Sequence, residues 1–428
     1  MNFELFYQTS GVCTDTRNIT PGCLFICLKG EHFNGNNFAF QALEAGASFV
    51  VCDEKQSGSD SRIYYVENTL IYLQQLAAFH RQKFQIPFIG ITGSNGKTTT
   101  KELTYHLLSK KYKVLATKGN LNNHIGVPLT LLQVNAEHEI AIIEMGANKP
   151  GDIKELCDIA SPTHGIITNI GRAHLEGFIN FEGVLHTKKE LYDAIEKQKG
   201  VLFYNSDDSV LTSILPIETT HISYSMQSPS DYTGELVSLS PFINMKWKTL
   251  NYTSATLSTQ MIGKYNFYNF MAAISIASSL GVDSEAINEA VRSYLPQNNR
   301  SQLINSPFNT IIMDAYNANP TSMKSAIESF AMMDHPSRIA ILGDMFELGN
   351  ESPAEHKKVI ELCRSTGMTV FYVGERFSEA LNSPEIHESK FLNKEDLIEH
   401  LKMKPLKKQL ILLKGSRGIG LESILPFL

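Results

Sequence analysis

The run Gly93-Ser94-Asn95-Gly96-Lys97-Thr98-Thr99 carries the most chemistry in the chain. It stands between an apolar run, PFIGIT, and an amphipathic one, TTTKELTYHLLSKKY. Glycines let backbone amides wrap a phosphate, and the amino end of a following helix favours negative charge. Lys97 can reach the outer phosphates, and the Thr98 hydroxyl can hold Mg²⁺. The strict phosphate-loop spacing is not met, because Ile91 occupies the place of the first glycine. The strand, loop and helix context offsets that departure and points to a nucleoside triphosphate. A glycine-rich turn that merely opens a helix is the weaker reading. Weaker still is a dinucleotide site, since neither this loop nor KGSRGIG near the end spells the full glycine fingerprint.

A phosphate loop does not by itself separate kinase, motor, switch and ligase, so the other polar residues at strand ends matter. Glu144 ends the apolar run EIAIIE and is either a hard oxygen ligand for Mg²⁺ or a surface carboxylate. Asp314, Asn317 and Asn319 follow TIIM, and Lys414, Ser416 and Arg417 follow or end QLILLK, at the carboxyl ends where open α/β sheets take ligands. Asn319 before Pro320 also reads as a helix cap, and both roles can hold at once. His174, after GIITNI, is by itself an ordinary polar loop residue. Lys188 and Lys189 are by themselves two solvated lysines on a helix.

These residues need a frame, and the chain of 428 residues is long enough for about three cores. Residues 1–85 read as a small α/β unit of short strands and helices. Residues 86–299 alternate buried strands with amphipathic helices, which argues a mostly parallel, P-loop-type sheet, with an antiparallel extension around Thr233 to Gln260. Residues 300–428 repeat the alternation as a doubly wound, Rossmann-like domain. The polar stretch Gln297 to Ser301 between the last two is the expected hinge. A net charge of −6, with both signs mixed along the chain, shows no nucleic-acid or membrane-surface footprint. No run resembles a signal peptide or reaches membrane-spanning length, so a cytoplasmic protein without membrane insertion is expected. The six cysteines are scattered through apolar runs and read as buried free thiols.

Several further runs complete a family pattern. Thr92 to Thr98, GNLNNHIGVP (Gly119–Pro128), EMGA (Glu144–Ala147) and NIGRAHLE (Asn169–Glu176) resemble the ATPase domain of the Mur ligases. The resemblance to the family continues through GKYNFYN (Gly263–Asn269), DAYNANPTSM (Asp314–Met323), LGDMFELG (Leu342–Gly349) and KGSRG (Lys414–Gly418). The N-terminal Asp15-Thr16-Arg17 and Leu28-Lys29-Gly30-Glu31 resemble the family's uridine-nucleotide domain. YNANPTSM, LGDMFELG and KGSRG look like the branch that adds D-alanyl-D-alanine to UDP-N-acetylmuramoyl-tripeptide in cell-wall peptidoglycan synthesis. The resemblance implies an ATP-dependent ligase, two Mg²⁺ ions, an acyl-phosphate intermediate and a monomer. By resemblance, Gly93 to Thr99, Asn269, Arg300, Asp314 and Asn317 bind ATP. Thr16, Arg17, Asn122, Asn123, His124, Asn319, Lys414, Ser416 and Arg417 contact the other substrates. Thr98, Glu144, His174 and a carbamylated Lys188 hold metal, and Lys97, His174, Lys188 and Arg300 are catalytic. Lys189 stands where the family often has glycine, so the carbamylated position could be either lysine. Tyr265 stands where the family usually has histidine, and Asn34-Gly35-Asn36 where it often has Asp-Gly-His. Folylpolyglutamate and cyanophycin synthetases are the competing ligases, and the N-terminal runs argue against both. A nucleotide-sensing scaffold without catalysis is the reading from another class.

Overall fold

The computed structural model describes residues 3–171, 175–178, 180–239, 242–297, 299–381, 385 and 387–428. Three sheets follow one another along the chain. The first has four short parallel strands, Val12–Cys13, Leu24–Ile26, Phe49–Cys52 and Ile63–Tyr65, in that order. A small hairpin, Lys29–Gly30 with Phe33–Asn34, projects beside it. The Asp-Gly-His counterpart lies here, and Asn36 is an internal brace. Its amide donates to Asp53 Oδ1 and Asn34 Oδ1 and accepts from the Asp53 and Glu54 amides.

The helix Thr69–Arg81 joins the first sheet to the second. Asn68 caps its start by accepting from the Ile71 amide. Tyr72, Leu73, Leu76 and Ala77 recur on one face and are buried, as the helical period requires. That face belongs to an apolar cluster running from Leu24, Ile26 and Val51 to Phe88, Leu131, Ile143 and Leu191, so the first two sheets share packing. Buried Arg81 reinforces the join by donating to the Ala160, Ser161 and Phe84 carbonyls and lying 3.6 Å over the Phe88 ring. Its neighbour His80 has Nε2 2.8 Å from the Val134 carbonyl oxygen and Nδ1 2.9 Å from the Tyr7 hydroxyl. A neutral ring that donates from Nε2 fills both contacts, and burial pushes the His80 pKa below its ordinary value.

A lowered histidine pKa means that the folded state resists a proton the unfolded chain accepts. Stability from His80 is therefore complete above about pH 6.5 and declines as the pH falls through that value toward the folded pKa. Melting temperature should drop between about pH 7.5 and pH 5.5, and His80→Gln should flatten part of that drop. An identical decline in both proteins would remove His80 from the account.

The second sheet has nine strands, ordered Leu257–Ser258, Asn244–Lys248, Tyr232–Ser238, Thr220–Ser225, Val201–Asn205, His164–Ile167, Phe88–Thr92, Ile140–Glu144 and Val114–Ala116. Strands from Val114–Ala116 as far as Tyr232–Ser238 run parallel, and the antiparallel extension begins where Tyr232–Ser238 meets Asn244–Lys248. Phe88–Thr92 is the strand at which chain connections reverse direction across the sheet, the position where such sheets open a crevice. The third sheet is ordered Gln302–Asn305, Thr310–Met313, Leu410–Lys414, Arg338–Gly343, Thr369–Val373 and Glu388–Phe391. Only its first strand is antiparallel. All six cysteines are free and buried.

Candidate active site

The phosphate loop is shaped from both sides. Gly96 has φ +79° and precedes the helix Lys97–Leu108, and a Cβ there would lie 2.6 Å from Asn269 Oδ1. Backbone geometry and the close approach of Asn269 both require glycine. On the other flank Asn169 Oδ1 accepts from the Asn95 amide at 3.0 Å, its Nδ2 donates to the Asn95 carbonyl at 2.9 Å, and Thr168 donates to the same carbonyl. The loop conformation is thus fixed by the next strand over. Lys97 Nζ lies back along the loop and donates to the Gly93 carbonyl at 2.6 Å.

Glu144 is 1% exposed, which removes the surface reading. Its Oε1 accepts from Thr98 Oγ1 at 3.1 Å and from Asn122 Nδ2 at 2.8 Å. Its Oε2 is buried with no hydrogen bond, and the nearest cation is Lys101 Nζ at 3.6 Å. Lys101 is itself fully buried and donates to the Thr117 carbonyl at 2.6 Å.

The third sheet brings its residues to the same space. Lys414 Nζ donates to Asp314 Oδ2 at 2.7 Å and to the Asn317 carbonyl at 3.3 Å. Asn319 has both of its expected roles in geometry. Its Oδ1 caps the helix Pro320–Ala331 by accepting from the Ser322 amide, and its Nδ2 donates to Asn95 Oδ1 of the phosphate loop at 2.8 Å. Arg300 lies 3.8 Å over the Tyr316 ring, and its Nε is buried without a hydrogen bond. Burial and Arg300 push the Lys97 pKa down, with Glu144 opposing them.

A cavity of about 940 Å³ connects these groups. Ser94 to Thr99, Asn122, Asn123, His124, Glu144, Asn269, Arg300, Asp314, Asn317, Asn319 and Lys414 line it. A smaller cavity of about 330 Å³ shares Thr98, Thr99 and Arg300 with it and adds Met261, Tyr294 and Leu295.

This arrangement matches known proteins over the whole length. Three family models match: Mur ligase family, catalytic domain, over residues 8–82; Mur ligase middle domain over 91–277; and Mur ligase, glutamate ligase domain, over 299–417. The UDP-N-acetylmuramoyl-tripeptide--D-alanyl-D-alanine ligase of Bacillus subtilis is 35% identical, over 97% of this chain and 92% of that protein. The chain belongs to the Mur ligase family. The Escherichia coli ligase of the same name is 33% identical, over 96% of this chain and 92% of its own. Crystal structure I of MurF from Acinetobacter baumannii superposes with a TM-score of 0.89 at 29% identity, over 99% of this chain and 97% of that one. MurF ligase from Thermotoga maritima in complex with ADP gives 0.88 at 28%, with coverage of 99% and 97%.

Within this Mur ligase the remaining expected residues divide. Lys188, on the helix Phe181–Lys197, is 2% exposed rather than solvated and makes no hydrogen bond among the described residues. Burial, with Lys97 nearby, pushes its pKa well down. Lys189 is the surface member of the pair and bonds Asp193 one turn on. The helix turns adjacent positions to opposite environments, which a run of two lysines does not disclose. His174 lies outside the described residues. Gly93, Thr16 and Arg17 do not line the large cavity, and exposed Arg17 pairs with Asp15. Ser416 is buried in a brace, accepting from the Phe346 amide and donating to the Ala318 carbonyl, while Arg417 is exposed. Sequence reasoning passed over Lys101, Asn169 and Tyr316. The last two stood inside runs already noted, whereas nothing but its place one turn after Lys97 distinguished Lys101.

Among the described residues no helix is long and apolar enough to cross a membrane.

Proposed function

We infer that this protein joins D-alanyl-D-alanine to UDP-N-acetylmuramoyl-tripeptide at the expense of ATP, in the synthesis of peptidoglycan precursor. The observation that carries the reading is one cavity bounded by the phosphate loop, Glu144, Arg300 and the Asp314–Lys414 pair of the third sheet, in a chain whose curated relatives are ligases of that name. The terminal carboxylate of the tripeptide attacks the γ-phosphorus, the bond to the bridging oxygen breaks, and ADP leaves an acyl phosphate. The dipeptide amine then attacks the acyl carbon, loses a proton, and inorganic phosphate departs.

Two anions must meet in the first step, so fixed cations around the γ-phosphate lower the barrier. Lys97 exchanges its loop carbonyls for phosphate oxygens, and Arg300, with an unpaired buried Nε, turns to the transferring group. The flat apolar surfaces of Met261, Tyr294 and Leu295 in the smaller cavity suit the adenine. Lys414 and Asn319 sit on the side from which the dipeptide carboxylate approaches. Thr16 and Arg17 serve the uridine end, away from the chemistry.

The residues fit a divalent cation. The Thr98 hydroxyl and the Glu144 carboxylate are hard donors in contact, and Oε2 has no hydrogen bond. Thr98 and Glu144 would hold Mg²⁺, which would neutralise negative charge on the phosphates. Lys188 fits carbamylation, because a buried amine is kept neutral and free to attack carbon dioxide, releasing a proton and leaving two acceptor oxygens. His174 completes the proposed metal set.

The deciding experiment is ADP release with UDP-linked tripeptide or UDP-linked dipeptide, each offered D-alanyl-D-alanine or a diamino acid. Release is expected only with tripeptide and D-alanyl-D-alanine together. Release with dipeptide and a diamino acid would assign a ligase that adds the third residue of the peptide instead, and none with any pair would restore the scaffold reading.

A further inference from the structure

We propose that Tyr265 is a positioning residue of the ligation site, holding Arg300 in place through the hydroxyl of Ser301. The inference rests on the ligase reading above. Arg300 has no carboxylate partner among the described residues, so its direction depends on the backbone beneath it and on the Tyr316 ring at 3.8 Å. That backbone is unusual. Ser301 has φ +49°, in the left-handed region that side chains other than glycine and asparagine seldom occupy, and it is 3% exposed. Something must hold it there.

The hold is a buried set of hydrogen bonds. The Tyr265 and Ser301 hydroxyls lie 2.7 Å apart, Asn266 Nδ2 donates to Ser301 Oγ at 3.1 Å, and the Ser301 amide donates to Asp314 Oδ1 at 3.2 Å. The set continues to the phosphate-loop helix. Asn269 Nδ2 donates to Asn266 Oδ1 at 2.8 Å, and Thr100 donates to Asn269 Oδ1 at 3.2 Å. Ser301 therefore joins the nucleotide helix on one side to the Asp314–Lys414 pair on the other, with Arg300 as its immediate neighbour. Losing the tyrosine hydroxyl loosens the residue that follows the arginine and helps to aim it.

The test compares Tyr265→Phe, Ser301→Gly, Arg300→Ala and Tyr265→Phe with Arg300→Ala, by ADP release with tripeptide and D-alanyl-D-alanine. Tyr265→Phe should lower kcat about tenfold, since small misplacement of a catalytic group costs one to two orders of magnitude. KM for the tripeptide and the melting temperature should stay near those of the unmodified protein. Ser301→Gly, whose backbone adopts the same φ freely, should show the same kcat loss without strain. In the Arg300→Ala background the tyrosine change should have no further effect, an outcome that a purely structural role would not produce. Unchanged kcat in Tyr265→Phe, or the same proportional loss with and without Arg300, overturns the proposal. Absence of turnover in the unmodified protein sinks the ligase reading and takes this proposal with it. Normal turnover with an unaffected Tyr265→Phe sinks this proposal alone.

Discussion

Lys97→Ala is expected to lower ATP turnover about a thousandfold, the upper range for removing one preorganised charge from a transition state. The fold should survive. Among the described residues Lys97 Nζ hydrogen-bonds its own loop alone, donating to the Gly93 and Ser94 carbonyls at 2.6 and 3.4 Å. The loop itself is held by Asn169, Thr168 and Gly96 and not by the lysine. Burial and the charge of Arg300 already disfavour the ammonium, while Glu144 favours it. These effects oppose one another, so the stability of the free protein should move by no more than about 1 kcal/mol. With ATP bound the balance changes, because the phosphates supply several negative charges beside Lys97. ADP release and a melt with and without ATP separate the two states. The variant should melt like the unmodified protein when free and gain less from ATP. Full ATP-dependent ligation by Lys97→Ala would end the phosphate-loop reading.

The sequence made the frame of this site readable because buried parallel strands are continuous apolar runs. FIGIT, IAIIE, TIIM and LILLK are all strands, and polar residues at or just past their carboxyl ends, Ser94, Asn95, Lys97, Thr98, Glu144, Asp314 and Lys414, line the cavity. Elements with mixed exposure were harder to see. The edge strand Gln302–Asn305 has no fully buried residue, and Ile63–Tyr65 is three residues long. The helix Gly126–Leu131 contains glycine and proline in its first turn and gives no amphipathic period. Contacts between distant segments were not readable at all. Asn319 and Asn95 are 224 positions apart, and their hydrogen bond exists only because two sheets present their carboxyl ends to one crevice. At the end of the polar tract expected as a hinge, Ser301 is packed against Tyr265 and Asn266, which come from a helix that local sequence cannot connect to it.

Lys188 is where the default reading of a residue type and its surroundings diverge most, and the divergence predicts an experiment. A charged ammonium in this place would be buried beside Lys97, so a neutral amine is favoured by both burial and charge. A neutral amine can attack carbon dioxide, and the proposed carbamate would replace a cation that repels metal with oxygens that bind it. Lys188→Ala should therefore lose about a hundredfold or more in ADP release. Formate or acetate should restore part of that loss, because a small carboxylate can occupy the vacated volume and present the same oxygens. Lys189→Ala should remain close to the unmodified protein, since it loses only a surface pair with Asp193 worth about 0.5 kcal/mol or less. A direct readout accompanies the kinetics: the unmodified protein in labelled bicarbonate should show a carbamate carbon signal by NMR that Lys188→Ala lacks and Lys189→Ala keeps. Undiminished activity of Lys188→Ala without added acid would remove this lysine from the proposed metal set. Collapse of Lys189→Ala instead would move the carbamate one position along, against the burial of the two side chains.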